Sequence, residues 1–491
     1  MTVQTPAPST GRTGRSPVEV ITRAGTPTTL DADTVAAFAD GLDGGVVLAG
    51  DPTYDVDRRV WNGMVDVSPA LLTKCASTAD VASTIRFVRQ HDLQLAVRGG
   101  GHNAAGVAVR EQGVVIDMSA MKLVNVDPEP RTVRAQGGVL IGELDAATQP
   151  HGLAVPQGVV TETGIGGLTL GGGFGWLRRR YGLACDNLVA AEVVTADGRI
   201  VHTSEDESPE LLWGLRGGGG NFGVVTEFEF RAYPLGPEVF FSVVIHPGDD
   251  IVGGLRFFRE WAQRAPDDIS ALAVMWHGPE IDEVPVEHHG EPVLFFIAMH
   301  AGSPTEGEAA LAELRDYGTP IADLSSVMPY LEVQQFFDED YPKWEKRYYW
   351  TSAYVEALDD ELIEALVRLN ADSPSEESTI DVWQLGGAMA RVPADATAFG
   401  DRSAAFMLGI EANWEAPEHD EANMAWARQV REAATPWATG ARYANFPGLY
   451  EDEEEPDFFG AGNRTRLSAL KAAWDPTNLF DRNHNITPAV A

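Results

Sequence analysis

"AVRGGGHNAAG", residues 96–106, places a histidine directly behind three consecutive glycines. Glycine gives up side-chain packing and loses more backbone freedom on folding than any other residue, so three in a row imply that something must lie against bare backbone. The run follows "LQLAV", which reads as a short strand, so the glycines open at a strand end. Bare amides there suit an anion, because N–H groups point outward and no Cβ holds a phosphate away. Arg98 stands beside them. The spacing is not that of a nucleoside-triphosphate loop, which needs a lysine, and it lacks the G-x-G-x-x-G pattern of a Rossmann site. His102 is then either a reactive group or a plain turn histidine.

Two more glycine blocks follow, "TGIGGLTLGGGFGWLRRRYG" at 163–182 and "LRGGGGNFG" at 215–223. One block alone is compatible with a tight turn. Three blocks at the ends of strands or helices point to a large cofactor that carries a diphosphate.

Between the blocks, short helices and strands alternate. "TADVASTIRFVRQHD" (78–92) carries apolar residues at helical spacing behind a capping position, and "LIGELDAATQPHG" (140–152) reads as a helix closed by Gly152. "GVVIDMS" and "TVRAQGG" read as strands, and "ADG" at 196–198 turns one alternating run into the next. After Pro234 the glycine clusters vanish. Strands "VFFSVVIHP", "ISALAVMW", "PVLFFIAMH", "TIDVWQLGG" and "AAFMLGIEANW" interleave with helices such as "DDELIEALVRLN", which predicts an antiparallel sheet with helices on one face. The expected organisation is a disordered tail over 1–28, a first unit over 29–234, a second over 235–437, and a segment over 438–491 that returns to the first unit and closes the site.

The chain has 491 residues, 36 basic against 73 acidic, for a net charge of −37. Such a surface repels nucleic acid and anionic lipid, which excludes both as partners. An acidic coat with five lysines suits molar salt, where screening shortens repulsion to about 3 Å, so a halophilic source is expected; an ordinary acidic protein is the alternative. No apolar run reaches about eighteen residues, so no membrane helix is expected, and the N-terminal stretch lacks a signal peptide's apolar core. Cys75 and Cys185 make no disulfide framework and fit a reducing cytoplasm. His288 and His289 near Glu280, Asp282 and Glu283 read as a solvated loop, and no metal is expected.

"VRGGGHNAAG", "GIGGLTLGGGFGWLRRRYGLACDNL", "LLWGLRGGGGNFGVVTEF" and the terminal "YAN…DPTNLFDRNHNITP" together resemble the berberine-bridge-enzyme group of FAD-linked oxidases, within the vanillyl-alcohol-oxidase class. The resemblance spans nearly everything from Val60 onward. It implies an α+β fold: a PCMH-type FAD-binding domain of two α+β subdomains, plus an antiparallel-sheet substrate domain with helices on one face. It further implies that Arg98, Gly99, Gly100, Gly101, His102 and Asn103 hold the FAD pyrophosphate, with Gly106 also cofactor-binding and His102 bonded covalently to the 8α-methyl. Many members carry a second tether through a cysteine; here Val160 occupies that position, so a single link through His102 is expected, and Cys185 reads as a packed small residue.

The same motifs place Gly158, Val159, Thr163, Gly164, Gly167, Gly172 and Gly173 along the diphosphate and ring edge. They place Asn221, Gly223 and Val225 near the adenosine half, although Asn221 also reads as a turn cap. Thr163 stands where the family guards oxygen access to the flavin, and its small side chain is compatible with O2 as acceptor.

"RYANF" matches the family's Tyr-x-Asn segment, so Tyr443 is the expected base, with a buried structural aromatic as the alternative. A free phenol has a pKa of about 10 and needs neighbouring donors or positive charge to work near neutrality. Asn445 lies on the same face, toward flavin or substrate. Trp383 and Gln384 are candidate pocket residues. Glu411 either orients substrate or is one more acidic surface residue, and the second reading is the plainer. The resulting expectation is an FAD-dependent oxidase acting on an alcohol or amine carbon of a sugar or secondary metabolite. A dehydrogenase of the same build, or a flavoprotein that only sequesters a ligand, are the alternatives.

Overall fold

The computed structural model describes residues 16–449, 458–482 and 484–490. A four-stranded sheet lies nearest the N-terminus, in the order Val46–Val47, Leu71–Lys74, Val114–Asp117, Leu95–Arg98, and its last three strands run parallel. Parallel neighbours need a crossover, and the helix Thr78–Gln90 supplies it. Ser77 caps that helix by accepting from the Asp80 N–H, and Val81, Ile85 and Val88 bury its apolar face. A five-stranded antiparallel sheet follows, ordered Ile200–Ser204, Leu188–Val194, Val224–Arg231, Thr132–Gln136, Val124–Asp127. The helix Ile141–Thr148 runs into a short turn closed by Gly152 at φ 64°, as its sequence predicts.

The third sheet has eight strands and carries the rest of the core. Its long members are Glu238–Pro247, Ile269–His277, Pro292–His300, Arg347–Val355, Thr379–Gln384 and Phe406–Trp414, paired antiparallel throughout. Helices Ile251–Arg264, Asp360–Ala371 and Asp420–Ala434 cover one face, through Leu255, Phe258, Leu362, Leu366 and Trp426. The opposite face packs Phe241, Tyr354, Trp383 and Met407 against Phe174, Trp176, Leu177 and Tyr443. Both faces are therefore dry, and the strands lose the in–out alternation of a half-solvated sheet. The sequence reading above omits Arg347–Val355 for this reason: eight of its nine residues are buried, so no period of two appears.

Part of the tail expected over 1–28 is folded. Val18–Ile21 and Pro27–Leu30 form an antiparallel hairpin, and Val20 and Leu30 bury into the core under the parallel sheet. Residues 1–15 lie outside the described residues. At the other end, the helix Ala461–Trp474 packs Leu467 and Leu470 among Leu211, Leu215 and Phe222. Lys471 anchors it: Nζ donates to the Asn221 and Phe480 carbonyls and pairs with Asp475, all buried. Among the described residues, no helix is long and apolar enough to cross a membrane.

Candidate functional site

A cavity runs between the glycine loops and the eight-stranded sheet. Of the residues expected on the cofactor side, Gly99, Gly100, Gly101, His102 and Asn103 line it. So do Gly158, Val159, Thr163, Gly164 and Gly167, and beyond them Gly223 and Val225. The bare backbone at Gly100 has a partner that the sequence could not show. A Cβ there would stand 2.4 Å from the Gly164 nitrogen, so the first two glycine loops pack backbone on backbone. Gly101 sits at φ +71°, which turns the chain so that His102 follows on the cavity side.

The His102 ring stacks on Trp61 with centroids 4.2 Å apart, and Trp61 stacks in turn on Tyr348 at 3.7 Å. Burial lowers its pKa to about 4, so the imidazole is neutral near pH 7 and keeps a free lone pair. Its Nε2 is buried with no hydrogen-bond partner. An orphaned imidazole nitrogen is costly, and its position in a wall of glycine amides fits a group that uses that nitrogen. The glycine amides of the lining and this nitrogen together fit FAD.

Tyr443 lies in the same cavity, 3 % exposed. Its phenol oxygen accepts from the N–H groups of Gly173 at 3.2 Å and Phe174 at 3.1 Å, and from Asn445 Nδ2 at 2.9 Å. Burial raises its pKa to about 12 against the lowering effect of those three donors. The depressed phenol that the sequence suggests is therefore not found. The donors instead fix the oxygen's position and are ready for charge that develops on it. Asn445 also donates to the Leu168 carbonyl at 3.1 Å, which locks its amide.

The sheet side of the cavity is acidic and aromatic. Glu411, read above as the plainer surface acid, is 3 % exposed and lines the cavity. Its Oε2 accepts from the Tyr341 hydroxyl at 2.7 Å. Asp381 and Trp383 share that wall because alternate residues of one strand face the same way. Gln384, one residue on, faces away and donates to the Ala262 carbonyl at 2.6 Å, so it is not a pocket residue.

Five other expectations change. Arg98 does not face the cavity: its guanidinium pairs with buried Asp117 at 2.6 Å and donates to the Asp57 and Arg59 carbonyls. Gly106 is held against Val65 and takes no part in the lining. Gly172 and Gly173 adopt φ of +122° and +87° to place Tyr443's amide donor rather than to line the cavity. Asn221 is a tie, as its turn-cap reading held: Nδ2 donates to the Gly218 and His484 carbonyls, and Oδ1 accepts from the Ile486 N–H at 3.0 Å. Sequence reasoning missed Phe337, Tyr341, Trp350, Asp381 and His484 as lining residues. Asp381 was within reach, since Trp383 two residues on fixes the facing of its strand. Tyr341 comes from a loop with no periodic signal.

Comparison with known proteins agrees with this geometry. The family model described as FAD binding domain matches residues 69–204, and that described as berberine and berberine like matches 442–487. The FAD-linked oxidoreductase YvdP of Bacillus subtilis is 31 % identical over 454 residues, covering 91 % of this chain and 99 % of that protein. (R)-6-hydroxynicotine oxidase of Paenarthrobacter nicotinovorans is 30 % identical over 465 residues, covering 91 % and 97 %. The crystal structure of 6-hydroxy-D-nicotine oxidase from Arthrobacter nicotinovorans superposes with a TM-score of 0.80 at 27 % identity, covering 91 % of this chain and 98 % of that one.

Proposed function

Because the chain belongs to the FAD-linked oxidoreductases of the berberine-like family, we propose that it is an oxidase with a single covalent flavin link through His102. It removes hydride from an alcohol or amine carbon of a sugar or secondary metabolite and passes the electrons to O2. The observation that carries this reading is the neutral His102 ring, its Nε2 orphaned, in a cavity walled by glycine amides. FAD, when bound, supplies the hydride acceptor, and the protein supplies placement and proton handling.

Gly99–Gly101 offer their peptide amides to the diphosphate; Gly158, Val159, Thr163, Gly164 and Gly167 serve the ring edge, and Gly223 and Val225 the adenosine half. Val160 lies in the lining where a second tether would need a thiol, which supports one link rather than two. Tyr443 takes the substrate's proton at its phenol oxygen, where three N–H donors offset the charge that gathers there. Asn445 keeps that oxygen in register. Thr163 leaves space for O2 at the ring edge.

The test is acid denaturation of purified protein. Yellow colour should stay with the wild-type chain and with Cys185→Ala, and should wash away from His102→Ala. Free flavin released from the wild type refutes the covalent link. Peroxide formed during turnover in air supports O2 as acceptor; substrate-driven flavin bleaching without peroxide assigns the same fold to a dehydrogenase.

A further inference from the structure

Two carboxylates, Asp381 and Glu411, share the sheet wall of the cavity. Asp381 pairs with Gly409 and Thr379 with Glu411, so the two acids stand diagonally on neighbouring strands. Gly409 lies between them: a Cβ there would come within 3.3 Å of the Asp381 Cβ and 3.5 Å of Glu411 Oε1. Asp381 is 4 % exposed, and its Oδ1 has no hydrogen-bond partner. Glu411 is held by Tyr341 alone among side chains. Among the described residues, neither acid forms an ion pair with a lysine or arginine.

Arg178, the arginine beside Trp383, is committed elsewhere. Arg178 lies 5.1 Å from the Trp383 ring, but its donors go to the Gly175, Ala271 and Gln384 carbonyls. Arg482 also lines the cavity, two residues beyond Phe480, which packs with the parallel sheet. His102 is neutral.

Burying two unpaired carboxylates is expensive, and the structure meets the cost by keeping protons on them. Burial pushes Asp381 up to about 7 against the lowering effect of the Thr379 hydroxyl and the Trp383 indole beside it, and burial plus the neighbouring Asp381 pushes Glu411 up against the Tyr341 hydroxyl. The wall thus holds an acceptor oxygen to fill and a proton to lose. Trp350 and Trp383, in the same lining, present rings that attract cations.

We propose that Asp381 and Glu411 bind a basic amine of the substrate in its ammonium form, against the unpartnered Oδ1 of Asp381 and the rings of Trp350 and Trp383. The enzyme therefore selects amine-bearing substrates over neutral sugars of similar size. This rests on reading the cavity as the substrate chamber of an FAD oxidase. Because the cation replaces a proton on the acid pair, its binding near neutral pH releases that proton to solvent.

Isothermal calorimetry on the holoenzyme tests this with benzyltrimethylammonium, which is permanently charged, and neopentylbenzene, its uncharged carbon isostere. The cation should bind about tenfold more tightly or better. Titration in two buffers of different ionisation heat should show about one proton released per cation bound. Asp381→Asn and Glu411→Gln should each lose the preference and the proton release. Equal affinity of the two probes, heat from neither, or a preference kept in both variants overturns the proposal; the wild-type comparison needs no variant to fold. Absence of bound flavin in the purified protein would instead sink the oxidase reading alone, because the calorimetric comparison needs no turnover.

Discussion

Replacing Arg98 by Met separates two roles for one side chain. If the guanidinium served the FAD phosphates, its loss would weaken flavin retention and leave the fold intact. In the structure it serves the fold: Nη2 lies 2.6 Å from Asp117 Oδ2 and Nε 3.3 Å from Oδ1. Asp117 is fully buried and takes a second cation, Lys74, at 2.6 Å. Burial would push its carboxyl up, but Arg98 and then Lys74 overcome that and bring it down to about 2. The drop from 3.8 to about 2 is worth about 2.4 kcal/mol of folding free energy. The folded value is the lower one, so this stability is complete above about pH 4 and disappears as pH falls through 2. Removing one partner of a buried pair costs about 3–5 kcal/mol, and because Lys74 remains, the lower end, about 3 kcal/mol, is expected. Denaturant midpoints of wild type and Arg98→Met at about pH 7 and about pH 2, with flavin absorbance per folded chain, measure it. The variant should lose stability at neutral pH, lose less in acid, and keep its flavin content. Unchanged stability with lost flavin would refute the assignment and return Arg98 to the phosphates.

Two other perturbations probe the site from different sides. Tyr443→Phe should slow anaerobic flavin reduction by about 10²–10⁴-fold without changing flavin content; an unchanged rate removes Tyr443 as the proton acceptor. Asp145 is buried beneath the Gly158 loop, where Gln334 Nε2 donates both to its Oδ2 at 3.0 Å and to the Gly158 carbonyl at 3.2 Å. Burial raises its pKa from 3.8 to about 7, so the folded state holds this proton more tightly than the unfolded chain. Its contribution therefore falls as pH rises from about 4 to about 7 and stays low above that, whereas Asp145→Asn should show no such decline. Thermal unfolding of both proteins across that range tests it; parallel pH profiles would contradict the buried-acid account.

The reading from sequence worked where local chemistry decides. Glycine runs at strand or helix ends, the period of Thr78–Gln90 and the turn at Gly152 are set by neighbours a few residues away, and the structure keeps all of them. His102 and Tyr443 were legible because each stands in an unusual short motif, and both line the cavity. Arg98 was misread because a cation beside an anion-binding loop looks alike whether it faces a phosphate or a carboxylate. Its partner Asp117, nineteen residues on, becomes adjacent only when the two strands pair in parallel.

Sequence alone thus pointed to a diphosphate-bearing cofactor and to the glycine loops that line the cavity, since both readings follow from backbone freedom and from residues close in the chain. Which acids share a wall was decided by tertiary structure. Asp381 and Glu411 stand thirty positions apart and meet through strand register, and Tyr341 joins them from a loop. A one-residue slip in that register would turn one of the two carboxylates away from the cavity, and no local preference of either strand, dry on both faces, fixes it.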